Sequence, residues 1–195
     1  MQKVTLSAYT RKLPRELFYE CRNLTSVTFP DKCSTISIGH SAFQNCISLE
    51  SINFPDSLLT INDRAFYRCK NLKQVHFPTG LKHIGDYAFY FCALDTLELP
   101  DTLETIGESA FFKCKNLIGI ELPPSVKSIG KWVFHGCDRL KYLTIRHNPE
   151  FIGEWIINRA ATIRCYKGSV ADRYCQENEF KVEYLEGKMP TYIWK

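Results

Sequence analysis

The chain has 195 residues, 45% of them hydrophobic, and a formal net charge of +4 from 25 basic and 21 acidic side chains. That content of apolar residues excludes a disordered polymer. The basic excess is too small and too dispersed to make the patch or stripe of a nucleic-acid binder, so no nucleic-acid partner is expected. No apolar run reaches the roughly 18 residues of a membrane span, so direct membrane insertion is not expected either.

From the amino end, Val4-Thr5-Leu6 reads as a strand, seven residues ahead of Leu13. Five stretches then align: Ile38 to Phe43, Ile61 to Phe66, Ile84 to Phe89, Ile106 to Phe111 and Ile129 to Phe134. Each Phe is followed three residues later by a cysteine: Cys46, Cys69, Cys92, Cys114 and Cys137, at steps of 23, 23, 22 and 23 residues. The short step is one residue lost between Cys92 and Leu94. Leu17-Phe18 with Cys21 is an earlier copy, and two extra residues fall between Phe29 and Ile38. Ile152-Gly153 opens a last, degenerate copy.

A stretch of fixed form follows each cysteine. Leu49 to Pro55, Leu72 to Pro78, Leu94 to Pro100 and Leu117 to Pro123 alternate apolar and polar residues and end on proline. The two-residue period predicts a half-buried strand, and the proline, with no N–H to give, ends it. The Ala-Phe-x-x-Cys part suits a short helix or turn on the opposite side. Near the carboxyl end, Thr162 to Tyr166 reads as a strand, Val170 to Glu177 as a helix and Phe180 to Tyr184 as a strand. These divide the chain into one solenoid domain over 1–186, with repeats over about 4–160, a closing cap over about 161–186, and a loose tail over 187–195. Eight strands at ~4.8 Å spacing predict a sheet roughly 34 Å wide.

A repeat of 20–29 residues with one strand per unit is the mark of leucine-rich repeats. The Ile-Gly-x-x-Ala-Phe-x-x-Cys-x-x-Leu pattern resembles the BspA-type leucine-rich-repeat family over about residues 4–186. The resemblance implies an α/β repeat: a right-handed leucine-rich-repeat solenoid with a parallel β-sheet on one face and short helices or turns on the other. Members of that family are found largely in cell-surface and secreted proteins of host-associated bacteria and some protists. Better-studied ones are implicated in adhesion.

Six of the nine cysteines occupy one repeat position and are expected to stack as a buried column of small hydrophobes. Coil spacing of about 4.8 Å is too wide for disulfides along it. Cys33, Cys165 and Cys175 lie off the column, and Cys165 can pair with Cys175 in an oxidising compartment. No Cys-x-x-Cys pair supports a zinc site. His40, His76, His83, His135 and His147 sit at different repeat positions, and no acid or nucleophile recurs beside them. Phosphate loops, nucleophile elbows and metal-ligand helices are absent from the sequence. The expectation is therefore no enzyme activity and no cofactor.

Two surfaces are candidates for a partner. Outward strand positions form a polar face, acidic in the middle, on which Gln74, His76, Thr96, Glu98, Glu121 and Tyr142 are the candidate contacts, with Thr144 beside Tyr142. The alternative is a merely solvated sheet. The residue after each core Phe gives a second column: Tyr19, Gln44, Tyr67, Tyr90, Phe112 and His135. There Tyr67, Tyr90, Phe91 and Phe112 would make an aromatic stripe, and aromatic residues are enriched at interaction hot spots. The alternative is that each ring lies flat on its neighbour and seals the coil.

The leading expectation is a non-catalytic recognition module for a protein or glycoprotein, exposed at the cell surface or secreted. Met1 to Thr10 carries no long apolar leader core, which leaves a cytoplasmic scaffold or effector open. A spacer segment of a longer array is the third reading. The strand at Val4 to Leu6 is also an exposed edge, at which end-to-end self-association is expected.

Overall fold

The computed structural model describes residues 2–189; residues 190–195 of the expected tail lie outside the described residues. The chain winds as a parallel β-solenoid whose coils have three sides. On the broad side, Lys3–Thr5 pairs in parallel with Ser26–Thr28, and Ser51–Asn53 with Gln74–His76. Gly119–Leu122, Tyr142–Ile145, Thr162–Cys165 and Lys181–Tyr184 form a four-stranded sheet in that order. Alternation dictates what each strand buries: Val27, Ile52, Ile120, Leu143 and Ile163 all point into the core.

This broad face is not the continuous sheet expected. Leu94 to Pro100 joins no strand, and Asp95 N–H to Lys73 O (3.1 Å) is its one backbone bond to the preceding strand region among the described residues. A second break separates Ser26–Thr28 from Ser51–Asn53. Both breaks sit where the repeat length departs from 23: the residue lost after Cys92 and the two gained after Phe29. A one-residue change in length shifts the register that a ladder needs.

The second side is a narrower sheet that the sequence did not announce. Lys12–Leu13, Ser37–Ile38, Thr60–Ile61, His83–Ile84, Thr105–Ile106, Ser128–Ile129 and Phe151–Ile152 pair in register as seven parallel two-residue strands. Two residues per coil are too few to show a period. The residue after each Ile is usually glycine, and the space explains it. A Cβ on Gly107 would lie 2.5 Å from Asp86 N, backbone against backbone.

Ala-Phe-x-x-Cys makes the third side as a turn rather than a helix. The residue before each Ala or Val (Ser41, Arg64, Tyr87, Ser109, Trp132) and the one before each Cys (Asn45, Arg68, Phe91, Lys113, Gly136) have φ between 52° and 75°. A left-handed residue at both ends stops helix propagation. It also turns alternate N–H groups toward the next coil, as in Phe66 N–H to Ala88 O at 2.7 Å.

Inside, Phe18, Phe43, Phe66, Phe89, Phe111 and Phe134 stack coil on coil at 5.1–5.5 Å. The cysteine column runs beside them. Cys69 Sγ donates to Phe43 O (3.1 Å) and Cys92 Sγ to Phe66 O (3.2 Å), and Cys46, Cys114 and Cys137 do the same. Each thiol thus reaches a buried carbonyl of the coil before it, which an alanine could not. Burial raises these thiols, Cys46 and Cys137 to about 12, so they are poor nucleophiles at neutral pH.

The carboxyl-terminal helix Val170–Asn178 starts on Ser169, whose side chain accepts from Asp172 N–H. Tyr174 OH accepts from Ile156 N–H (3.2 Å), and the Tyr174 ring stacks on Phe180 at 5.5 Å. These contacts seat the helix on the last coil. Cys165 and Cys175 are both buried there as free thiols.

Two groups in this region tie stability to pH. Gly168 N–H, Tyr184 OH and Gln176 Nε2 donate to the buried Asp172 carboxylate, which holds its pKa below the usual value. His147 is buried with Nε2 at 2.7 Å from Val126 O, and burial pushes its pKa below 6.5. A lowered folded-state pKa means the unfolded chain binds protons more readily. The stability each group gives is therefore present above its ordinary pKa and lost on acidification. Melting temperature should fall as pH drops from 6.5 through the lowered value of His147, and again below 3.8 as Asp172 protonates. His147→Gln should flatten the upper step; a flat melting profile between pH 7 and 5 for the unaltered chain would contradict the assignment.

Candidate functional site

On the broad face, the break after Gln74–His76 opens a crevice of about 230 Å³ lined by Gln74, Val75, His76, Phe77, Thr96 and Glu98. The structure thus brings four of the expected contacts together. It does so because Thr96 and Glu98 are out of the ladder. Val75, Phe77, Leu97 and Leu99 are only partly buried here, whereas Ile52, Ile120 and Leu122 in neighbouring coils are closed off. Glu98 has no ion pair among the described residues.

The other two expected contacts are already occupied. Arg146 Nε donates to Glu121 at 2.8 Å, so the acidic centre expected there is half neutralised. The Tyr142 ring lies over Gly119, where a Cβ would come within 2.4 Å of it, and the Arg164 guanidinium sits 4.0 Å from its centroid. Thr144 is buried, set in register between Glu121 on one neighbouring strand and Arg164 on the other.

The aromatic stripe is contiguous. Tyr67 stacks on Tyr90 at 4.8 Å, Tyr90 on Phe112 at 5.0 Å, and Phe112 on His135 at 5.7 Å. Phe91 flanks Tyr90 at 6.3 Å, and Tyr87 does so at 5.8 Å. Cations border the rings: Arg68 over Tyr67 at 5.6 Å, Lys113 over Phe112 at 5.4 Å and over Phe91 at 5.8 Å. Tyr67, Tyr90, Phe91 and Phe112 are each half-buried. Tyr90 and Phe112 each stack on a ring to either side, while Tyr67 and Phe91 also lie against Arg68 and Lys113, respectively.

A concavity larger than the crevice lies on neither of these surfaces. A groove of about 700 Å³ follows the narrow sheet across five coils. Its floor is Thr60, His83, Thr105 and Ser128 with Asn62, Gly85, Gly107, Gly130 and Gly153. Asp63, Asp86, Glu108, Lys131 and Glu154, one per coil, form one wall. Asp63 Oδ1 accepts from Asp86 N–H (3.0 Å), and Asp86 Oδ1 accepts from Glu108 N–H (2.7 Å). Tyr87 OH donates to Glu108, which pushes the Tyr87 pKa up to about 12. This repeat position, His40, Asp63, Asp86, Glu108, Lys131 and Glu154 in chain order, is acidic in four of six copies, but nothing in one sequence placed it beside a groove.

These features define a repeat protein of the parallel β-solenoid class, a scaffold of stacked coils with surfaces spanning several repeats. The chain belongs to the BspA type leucine-rich-repeat family, whose profile matches six copies over residues 1–37 and 36–164. Comparison with curated proteins gives no match. Among solved structures, a leucine-rich-repeat protein of T. pallidum is 27% identical with a TM-score of 0.75, over 93% of this chain and 85% of that one. A leucine-rich cell surface protein of Faecalibacterium prausnitzii A2-165 is 19% identical with a TM-score of 0.53, over 96% of this chain and 61% of that one. The second likeness concerns the fold alone, and this chain spans less than two thirds of that protein.

Proposed function

We propose that this chain is a non-catalytic recognition module for a protein or glycoprotein, displayed at the cell surface or secreted. Its family consists of repeat modules associated with protein interaction, and the Faecalibacterium relative in fold is described as a cell surface protein. The observation that carries the reading is the aromatic stripe: four stacked rings bordered by Arg68 and Lys113, crossing four coils. Ring edges and cations together suit a partner with carbonyl or carboxylate groups. The crevice at Gln74, His76, Thr96 and Glu98 is the second contact region, with Glu121 and Tyr142 at its far side. We take the coil as right-handed and residues 1–186 as one folding unit, repeats followed by a cap.

Protease shaving of intact source cells tests location: removal of the chain while cytosolic markers survive supports exposure, and protection until lysis defeats it. A partner captured from the extracellular milieu then tests the site. Tyr90→Ala with Phe112→Ala should weaken it about tenfold or more, while Gln74→Ala measures the crevice separately. Unchanged affinity in both variants removes both surfaces.

The nine free thiols favour a second reading, an intracellular scaffold, because such thiols persist in reducing compartments. The edge at Lys3–Thr5 is also open to a second copy; a strictly monomeric mass by light scattering at high concentration excludes end-to-end pairing.

A further inference from the structure

We infer that the narrow-sheet groove is a second binding site, and that it takes an extended, lysine- or arginine-rich peptide segment. The chain as a whole is positive, at +4, yet the groove is lined by four carboxylates (Asp63, Asp86, Glu108, Glu154) against one ammonium, Lys131. The sign of charge is thus reversed locally along one concave strip, which is what steers a cationic ligand to it.

The carboxylates are also held in place. Asp63 and Asp86 each spend one oxygen on the backbone N–H of the next coil, and neither has an ion pair among the described residues. Their free oxygens repeat once per coil, at about 4.8 Å. Lys131 is engaged with Glu108 at 3.3 Å. The opposite edge carries Lys82 and Lys127 against Glu104, which bridges both (3.6 Å and 3.2 Å), and this excess of one positive charge is smaller than the excess of carboxylates across the groove.

The floor fits a main chain rather than a bulky group. Small hydroxyls and glycines predominate along it, with Asn62 in place of a glycine in the first coil and His83 Nδ1 at 2.9 Å from Thr105 Oγ1. Five coils span roughly 19 Å, the length of about six extended residues. Phe151, 56% exposed, stands at the carboxyl-terminal end as an apolar stop.

This site goes beyond the stripe and crevice above, and it fails independently of them. The probe is a fluorescein-labelled octalysine peptide, followed by polarisation. Binding should weaken steeply from 50 to 300 mM NaCl. Asp63→Asn with Asp86→Asn should cost about tenfold in affinity. The asparagine oxygen keeps each backbone hydrogen bond, so the fold is retained. Thr105→Trp, which fills the floor, should abolish binding without removing a charge. Glu50→Gln with Glu177→Gln, outside the groove and the stripe, should leave octalysine binding unchanged. Absence of octalysine binding, or equal weakening by the groove and control pairs, overturns the proposal.

Discussion

Phe89→Ala is expected to lower unfolding free energy by about 3–5 kcal/mol, the range for deleting a fully enclosed aromatic side chain. Phe89 is wholly buried, stacked on Phe66 at 5.1 Å and Phe111 at 5.4 Å, with Phe77 edge-on at 5.6 Å. Its removal leaves a cavity bounded by three rings that belong to three other positions of the coil stack. A solenoid is stabilised mainly by contacts between neighbouring coils, so the loss falls on two interfaces at once. Phe18→Ala should cost less, because Phe18 has one stacking neighbour in the column, Phe43. Urea unfolding of both variants checks the order; equal or reversed losses would mean that the phenylalanine column does not couple the coils.

Gly107→Val should cost about 3 kcal/mol by forcing a branched side chain against backbone that cannot rotate away. The new Cβ would meet Asp86 N and Gly85 C at 2.5 Å. Asn62 occupies the equivalent place one coil before Gly85 and shows how a side chain is tolerated. Its Nδ2 donates to Ile38 O (2.6 Å) and Ser37 Oγ (2.8 Å), and its N–H reaches Ile38 O at 3.0 Å, against 2.8 Å from Gly107 N–H to Ile84 O. The coil gives slightly there and gains hydrogen bonds in exchange. Gly107→Asn should accordingly recover part of the loss. If thermal unfolding ranks Asn no better than Val, the explanation for Asn62 is wrong.

The core was legible because identity and spacing agree. Ala-Phe-x-x-Cys recurs with nearly constant step, and every Phe and Cys of the column from Phe43 to Cys137 is buried. The turn geometry was not legible, since left-handed backbone is carried by Arg64, Tyr87 and Trp132 instead of glycine or asparagine. Bonds between coils, such as Arg64 N–H to Asp86 O (2.8 Å), hold it together with turn bonds within the coil, such as Tyr67 N–H to Arg64 O (3.0 Å). The stripe could be read as a column, but whether its rings stand free or stack depends on coil separation. Stacking has absorbed the faces of Tyr90 and Phe112. Leu94 to Pro100 has the alternation of a strand and lacks its partner bonds, because alternation reports burial and says nothing of register. The groove needed the stagger of five coils, which no single repeat contains.

The gap at Leu94 to Pro100 has a mechanical side. Around it the phenylalanine stack from Phe66 through Phe89 to Phe111 is unbroken, and His83–Ile84 still pairs with Thr105–Ile106. Two of the three walls are therefore continuous and one is slit, which makes this latitude a flexure. Bending that widens the slit shortens the wall opposite, where Asp63, Asp86 and Glu108 line up. A load on the ends of the coil stack would thus be felt as a change in carboxylate spacing, and a ligand bridging those carboxylates would stiffen the whole rod.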